Sequence, residues 1–376
     1  MEKTINECFF QIQNGANIKQ GDVEGGFPIT RIETTANDKF NRDRMGYAGI
    51  TDISKYEAYV LEDGDLLMSH INSVQYLGRT VLYVKQPDET IIHGMNLLRL
   101  KARRNIINPS YARYCFYGHT FRCRIGNITK KSVNQASFAV KDLKQIKIEV
   151  PSLDVQNKVV VILDRVQKLI DMRNKELATL DELIKARFVE MFGDPELNPM
   201  GWEQVTLNDV CSSIVRGPFG SALKKEFFVE PDETTYKVYE QKHAIQKSAS
   251  IGTYYITEEK YQELKRFECL PGDILMSCSG TMGELYQLPD GCEKGVINQA
   301  LCKFTLNERI LPICFLVYMK QTIGNLETKG SGIQNIAAVS YVKQMPINLP
   351  PMDVQNEFEQ FVHQVDKSKV VDIKAA

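Results

Sequence analysis

The 376-residue chain is poor in the features that mark an enzyme, a secreted scaffold or a membrane protein. No apolar run approaches the ~20 residues that cross a bilayer, and the first residues, MEKTINECFF, lack the apolar stretch of a signal peptide. Its nine cysteines are an odd number and include no Cys-x-x-Cys pair, which argues against a disulfide framework or a zinc ribbon. The five histidines, His70, His93, His119, His243 and His363, share no ligand spacing. There is no Gly-x-x-x-x-Gly-Lys-Ser/Thr loop, no Gly-x-Ser-x-Gly elbow and no Asn/Asp-Pro-Pro-aromatic tetrapeptide of the amino-methyltransferase kind. Ser279-Gly280-Thr281-Met282-Gly283 is glycine-rich but lacks the first glycine of a dinucleotide fingerprint, so it reads as a loop. Pro289-Asp290 with Glu293-Lys294 superficially matches a nuclease metal site. Its acids lie too close in sequence for separate strands, and a loop turn is the simpler reading. These absences leave a soluble, cytoplasmic chain without catalytic residues or a metal site as the expectation.

What is present is globular. Hydrophobic residues make up 43% and charged residues 25%, on a length suited to two or three domains. The formal charge of -1 hides an asymmetry: residues 1–150 hold 21 Lys/Arg against 16 Asp/Glu, and residues 196–348 hold 15 against 18. A mildly basic first block permits binding to a polyanion through local patches without demanding it.

The chain also repeats itself. Val150-Pro151-Ser152-Leu153-Asp154-Val155-Gln156-Asn157 returns 199 residues later as Leu349-Pro350-Pro351-Met352-Asp353-Val354-Gln355-Asn356. At the same offset Gln135, Ala139-Val140, Lys144-Gln145 and Ile148 match Gln334, Ala338-Val339, Lys343-Gln344 and Ile347. Gly64-Asp65-Leu66-Leu67-Met68-Ser69 is echoed by Gly272-Asp273-Ile274-Leu275-Met276-Ser277 at an offset of 208, so the intervening loops differ by nine residues. Two related bodies, each followed by the same helix start, account for all of this.

Proline followed by an acidic residue suits a helix start, with the Asp at the N-cap or in the first turn. Beyond Pro151, apolar residues fall at Val155, Val159, Ile162, Val166 and Leu169, then, after a one-residue slip, at Leu177, Leu180 and Ile184. No Gly or Pro lies between Ser152 and Phe192. The spacing therefore predicts one helix of about 38 residues, roughly 57 Å long, with a narrow coiled-coil seam. Gly193-Asp194-Pro195 and Asn198-Pro199-Met200-Gly201 end it as a linker. The second copy repeats the seam at Val354, Phe358, Phe361 and Val365 but reaches Ala376 after about 20 residues, roughly 30 Å. An antiparallel pair would cover only the Leu177–Ile184 end and leave the Val155–Val166 stripe for another surface.

The bodies read as α+β and rich in strands. Residues 80–84, 90–92, 253–256 and 302–306 look like sheet segments, and the two Gly-Asp echoes like tight turns feeding buried strands. Residues 109–116 and 311–319 look like short helices with proline near the start. The organisation expected is a first body at 1–150, a central helix at 151–195, a second body at 196–348 and a short helix at 349–376.

Clustered cations carry the binding signal. Arg99, Lys101, Arg103 and Arg104 follow one strand-like run, and Arg113, Arg122, Arg124, Lys130 and Lys131 come within the next 30 residues, beside Asn134 and Gln135. With Arg79 this set suits phosphate contacts flanked by base-edge readers; the alternative is a solvated basic face. The second half offers a sparser set, Arg216, Lys224, Lys225, Ser279, Lys329, Gln334 and Asn335, for which the solvated face is the favoured alternative. Tyr117, Phe121 and Trp202 read as core or turn anchors.

Taken together, two variable bodies, each followed by a repeated helix, resemble the specificity subunit of type I restriction–modification systems. The most specific local match is Phe188-Val-Glu-Met-Phe-Gly-Asp-Pro195 followed by Gly201-Trp202-Glu203-Gln204-Val205, a junction similar to that of these subunits. The Gly-Asp turns resemble those of the family's target recognition domains, and the Pro-x-x-Asp-Val-Gln-Asn segments its helix starts. The resemblance covers essentially the whole chain. It implies two related target recognition domains separated by long helices that form an antiparallel coiled-coil spacer. It further implies a chain that does no chemistry itself and reads a bipartite duplex DNA target. Two methyltransferase subunits bearing S-adenosylmethionine would dock on the helices, and motor-nuclease subunits using ATP and magnesium would be recruited. No cofactor is expected on this chain. A second reading is a truncated or silent variant that binds partners through Val155–Val166 but assembles poorly. A third is a nuclease with an unrecognised site.

Overall fold

The computed structural model describes residues 1–21, 25–132, 135–323 and 339–371. Two compact units emerge, Met1–Met172 and Arg173–Ala376, and the division falls inside a single 40-residue helix, Leu153–Phe192.

Unit 1 is built on a four-stranded antiparallel sheet in the order Phe9–Asn14, Leu97–Ala102, Leu66–Ser69, Thr80–Leu82. The Gly-Asp echo does what its sequence suggests. Gly64 turns at φ +86°, Asp65 accepts a hydrogen bond from the Glu62 backbone N–H at 2.8 Å, and the strand that follows is buried at all four positions. Burial on both faces explains the continuous apolar run: Leu66 and Met68 join a cluster with Phe116, Phe121 and Ile125, whereas Leu67 joins Val81, Tyr83 and Ile91 on the opposite side. The first cluster is capped by the helices Pro109–Tyr117 and His119–Ile128, the former opened by Asn108, whose side chain accepts from the Ser110 N–H.

Unit 2 repeats this plan. Cys211–Arg216, Leu301–Leu306, Ile274–Ser277 and Leu285–Gln287 pair in the same order, with a bulge between Cys211 and Ser213 matching the one between Phe9 and Gln11. Gly272 turns at φ +87°, and Asp273 accepts from the Leu270 N–H at 2.9 Å. A further four-stranded sheet contains Tyr236–Tyr239 and Gly295–Ile297 as parallel neighbours. The segment 90–92, expected as a strand, is reduced in unit 1 to isolated bridges from Ile92 to Ile29 and Val60, because its neighbours offer one residue each. The other expected elements appear at Thr80–Leu82, Tyr255–Ile256, Leu301–Leu306, Pro109–Tyr117 and Pro312–Thr322.

The long helix ends where the sequence turns to glycine: Gly193 adopts φ +80°, and the Trp202 indole N–H caps the Phe192 carbonyl at 3.0 Å. In unit 2, the C-terminal part of this helix packs against Met352–Val371 in antiparallel fashion. Arg187 meets Glu357 at 2.9 Å, Asp181 meets Lys369 at 2.9 Å, and Arg173 donates to the Lys369 carbonyl at 2.5 Å. The seam is apolar, with Leu180, Ile184, Phe188 and Phe192 on one side and Val354, Phe358, Phe361, Val362 and Val365 on the other. Phe188 and Phe192 belong to it although they lie beyond the stripe legible in the sequence; Leu177 is only half-buried. Among the described residues no helix is long and apolar enough to cross a membrane.

Candidate nucleic-acid interface

The exposed cations of unit 1 that lie closest to polar readers are placed by a small three-stranded sheet. Ile71–Asn72 pairs with Ala136–Ser137, which pairs with Lys130–Lys131. Both lysines and Gln135 are exposed, and the Gln135 carbonyl accepts from the Ser132 N–H at 2.7 Å. The same sheet adjoins the end of the main one: the His70 carbonyl accepts from the Phe138 N–H, and the His70 Nε2 lies 3.3 Å from the Asn14 amide nitrogen. Burial holds the His70 imidazole below its usual pKa and therefore neutral near pH 7. Lys130, Lys131, Gln135, Asn72 and Asn14 thus share one end of unit 1. Asn134, also expected here, lies outside the described residues.

The arginines divide by what holds them. Arg122 donates to the Leu77 carbonyl at 2.6 Å and the Gln75 carbonyl at 3.0 Å, clasping the loop before Thr80–Leu82. Arg124 joins the Lys147 carbonyl to Glu2, and Arg104 donates to the Asp63 carbonyl at the Gly-Asp turn. Arg79 pairs with Asp38 at 2.9 Å and lies over the Tyr76 ring. Arg99 is buried against the Ala58 and Val60 carbonyls. Arg99, Arg104, Arg122 and Arg124 thus each donate to backbone carbonyls at turns or strand ends, whereas Arg79 is held by a carboxylate and a ring. Arg103 differs, being exposed and in no ion pair among the described residues.

In unit 2 a cavity of about 650 Å³ opens at the corresponding end of the main sheet, lined by Arg216, Phe219, Arg266, Ser279 and Gln299 among others. Ser279 is held by Gln241, which donates to the Ser279 and Thr281 carbonyls. Lys224 is exposed, 3.6 Å from Glu226. Lys329, Gln334 and Asn335 lie outside the described residues. Glu293, of the superficially nuclease-like loop, accepts from the buried Lys237 ammonium at 2.6 Å and from the Tyr255 hydroxyl, which gives it a structural occupation.

The repeated helix start has a function that residue-type reasoning missed. Gln156 is fully buried; it accepts from the Asn108 N–H at 2.8 Å and donates to the Ile106 and Pro151 carbonyls. Gln355 does the same with the Leu311 N–H, the Arg309 carbonyl and the Pro350 carbonyl. Each glutamine locks its helix start to the loop preceding a proline-started helix, while Asp154 and Asp353 sit in the first helical turn. The signal was the recurrence of Gln two residues after Asp in both copies. Downstream of Gln156, Val159 and Val160 pack on the unit 1 core, whereas Val155, Ile162, Val166 and Leu169 stay exposed as an apolar stripe.

Comparison with known proteins agrees with this duplicated architecture. A family model for the type I restriction modification DNA specificity domain matches residues 2–182 and again 199–375. The MjaX type I restriction enzyme specificity subunit of Methanocaldococcus jannaschii is 28% identical over 97% of this chain and 86% of its own. The EcoKI specificity subunit of Escherichia coli K12 is 22% identical over 48% of this chain and 40% of its own. A solved structure concerned with complex assembly and conformational transition of the type I R-M system is 15% identical and matches all of this chain and 92% of its own with a TM-score of 0.54. The S subunit from M. genitalium, 14% identical, gives 0.50 over 98% of this chain and 90% of its own. Two domain matches that together span nearly the whole sequence show that the chain belongs to the type I restriction–modification DNA specificity family, as a tandem pair of its domains.

Proposed function

We propose that this chain is the non-catalytic, sequence-reading component of a type I restriction–modification assembly in the cytoplasm, with each unit contacting one half of a split duplex target. In this reading residues 1–150 and 196–348 are the recognition bodies and the helices at 151–195 and 349–376 the spacer. Lys130, Lys131 and Arg103 contact phosphates; Gln135 and, in unit 2, Arg216 and Ser279 face base edges. Arg79, Arg104, Arg122 and Arg124 act mainly by shaping the loops beside them, and Lys224 adds an exposed cation in unit 2. The observation that carries the reading is the duplication itself: one sheet, one bulge, one Gly-Asp turn and one glutamine lock occur twice. A continuous helix of 40 residues, about 60 Å long, suits a spacer between half-sites set by the ~34 Å helical repeat of DNA. Its exposed stripe, Val155, Ile162, Val166 and Leu169, suits docking of methyltransferase subunits, two of them by the internal symmetry. S-adenosylmethionine, ATP and magnesium then belong to the methyltransferase and motor-nuclease partners.

Co-expression with the methyltransferase subunit of the same system, followed by mapping of methylated adenines across the host DNA, tests this. A split motif with a fixed spacer is the expected result. Soluble expression of both chains with no new methylation would reject the reading.

A further inference from the structure

The two main sheets end in the same way, yet the chemistry presented there differs. Asn14 is the last residue of its strand and pairs with Leu98; Arg216 is the last of its strand and pairs with Cys302. Each is followed by a glycine pressed on a neighbouring backbone segment: a Cβ on Gly15 would lie 2.2 Å from the His93 carbonyl oxygen, and one on Gly217 1.9 Å from that of Asn298. Side chains at these positions are oriented by the same neighbour. The Asn14 amide donates to the Met95 carbonyl at 3.5 Å, and the Arg216 Nε–H to the Gln299 carbonyl at 3.4 Å. Position 14 therefore corresponds to 216, and 95 to 299. By the strand register Ser69 corresponds to Ser277, so Ile71 corresponds to Ser279.

A shared scaffold that holds different side chains at equivalent, solvent-facing positions is suited to discrimination between ligands. In unit 2 the set is Arg216, Ser279 and Gln299, rich in donors, at the mouth of the 650 Å³ cavity, with Phe219 exposed just after Gly217-Pro218 and Arg266 in no ion pair among the described residues. In unit 1 it is Asn14, Ile71 and Met95. There the Asn14 nitrogen is held by His70 and by the Met95 carbonyl, so its amide oxygen is the group left to offer, beside two exposed apolar side chains.

We propose that these equivalent strand ends are base-reading positions in the two units and that they read chemically different half-sites. Arg216 with Gln299 reads a guanine through its major-groove acceptors. Asn14 accepts from an exocyclic amino group while Met95 and Ile71 contact a thymine methyl, which makes the unit 1 half-site one containing an A·T pair. The inference rests on the reading of the chain as a DNA specificity subunit. It adds which strand-end residues of the two units specify, and the chemistry by which each does so.

The test is selection of duplexes from a randomised DNA library by the full chain assembled with its methyltransferase, followed by sequencing, for the wild type and for Arg216→Ala, Gln299→Ala and Asn14→Ala. Arg216→Lys tests whether a bidentate fork is needed, and Gln299→Ala, at an exposed side chain, serves where Arg216→Ala perturbs folding. The expected result is that Arg216→Ala and Gln299→Ala relax one guanine position in one half-site on the order of ten- to a hundred-fold and leave the other half-site unchanged. Asn14→Ala should relax only the other half-site. Equal weakening across all sequences would mean phosphate contacts and overturn the proposal, as would unchanged preferences. A wild-type assembly that selects no split motif would overturn the functional reading and this inference together, whereas a split motif indifferent to the three variants would overturn this inference alone.

Discussion

Phe358 and Ile162 sit on corresponding apolar stripes of the two repeated helices, one covered and one open, and their replacement by alanine separates folding from docking. Phe358 is 0% exposed, with its ring centroid 5.5 Å from Phe188 and 5.1 Å from Phe192. Truncating a buried phenylalanine costs about 3–5 kcal/mol, the cavity included. The loss of two aromatic contacts places Phe358→Ala toward the upper part of that range. Against a domain stability of about 5–15 kcal/mol this is a large fraction, and at about 2–4 °C per kcal/mol for a unit of this size it lowers the unfolding midpoint of unit 2 by on the order of 10 °C. Ile162 is 59% exposed and belongs to no buried cluster among the described residues, so Ile162→Ala changes stability by no more than about 0.5 kcal/mol. If its stripe is a docking surface, it instead weakens association with the methyltransferase by on the order of tenfold or more. Calorimetry of the isolated chain, hydrogen exchange of the 352–371 amides and titration against the methyltransferase read the two effects separately. A Phe358→Ala cost below about 1 kcal/mol would refute the packing argument. Unchanged methyltransferase affinity in Ile162→Ala would refute the docking one.

Three further predictions concern other parts of the molecule. Gln156→Ala and Gln355→Ala should each destabilise by roughly 2–4 kcal/mol, since each strands one part-buried N–H and two carbonyls; urea unfolding measures this, and equal costs in the two units would confirm that the lock is duplicated. Lys130→Gln with Lys131→Gln should weaken binding evenly over DNA sequences and lower the slope of log affinity against log salt by about 2, whereas Gln135→Ala should alter preference in one half-site only; binding titrations at several salt concentrations decide between them. Glu89 accepts two bonds from Arg42 and others from the Tyr83 hydroxyl and the Gln86 N–H, and the Arg42 guanidinium holds its pKa down to about 2. A carboxylate with a depressed folded-state pKa stabilises above its unfolded value near 4.5, and that stability is lost as pH falls toward 2. Glu89→Gln should therefore cost about 2 kcal/mol near neutral pH and nothing near pH 2, with the wild-type and variant stability curves converging between pH 4.5 and 2.

Much of this architecture is written along the chain. The 199-residue repeat, the Pro-x-x-Asp-Val-Gln-Asn starts, the Gly-Asp turns and the 40-residue helix are local features, set by backbone preferences and by the period of apolar residues over short windows. The family itself was legible in that arrangement. What a given polar side chain does was not, because its partners are brought to it by strand pairing across large separations. Arg122 and Arg124 look alike in the sequence as members of a basic cluster; one is spent on carbonyls 45 and 47 residues earlier and the other on Lys147 and Glu2. The correspondence of Asn14 with Arg216 was equally hidden. Loops of unequal length shift the offset between copies from 199 to 208, and only the shared register of the two sheets aligns the positions. Repetition, helix length and the tight turns are properties of neighbouring residues and were determined by the sequence alone. Which cations close turns, which glutamines bind the helix starts, and which two strand ends correspond between the copies were decided by the tertiary structure, since hydrogen bonds reach only about 3 Å and no pattern along the chain reports that distance.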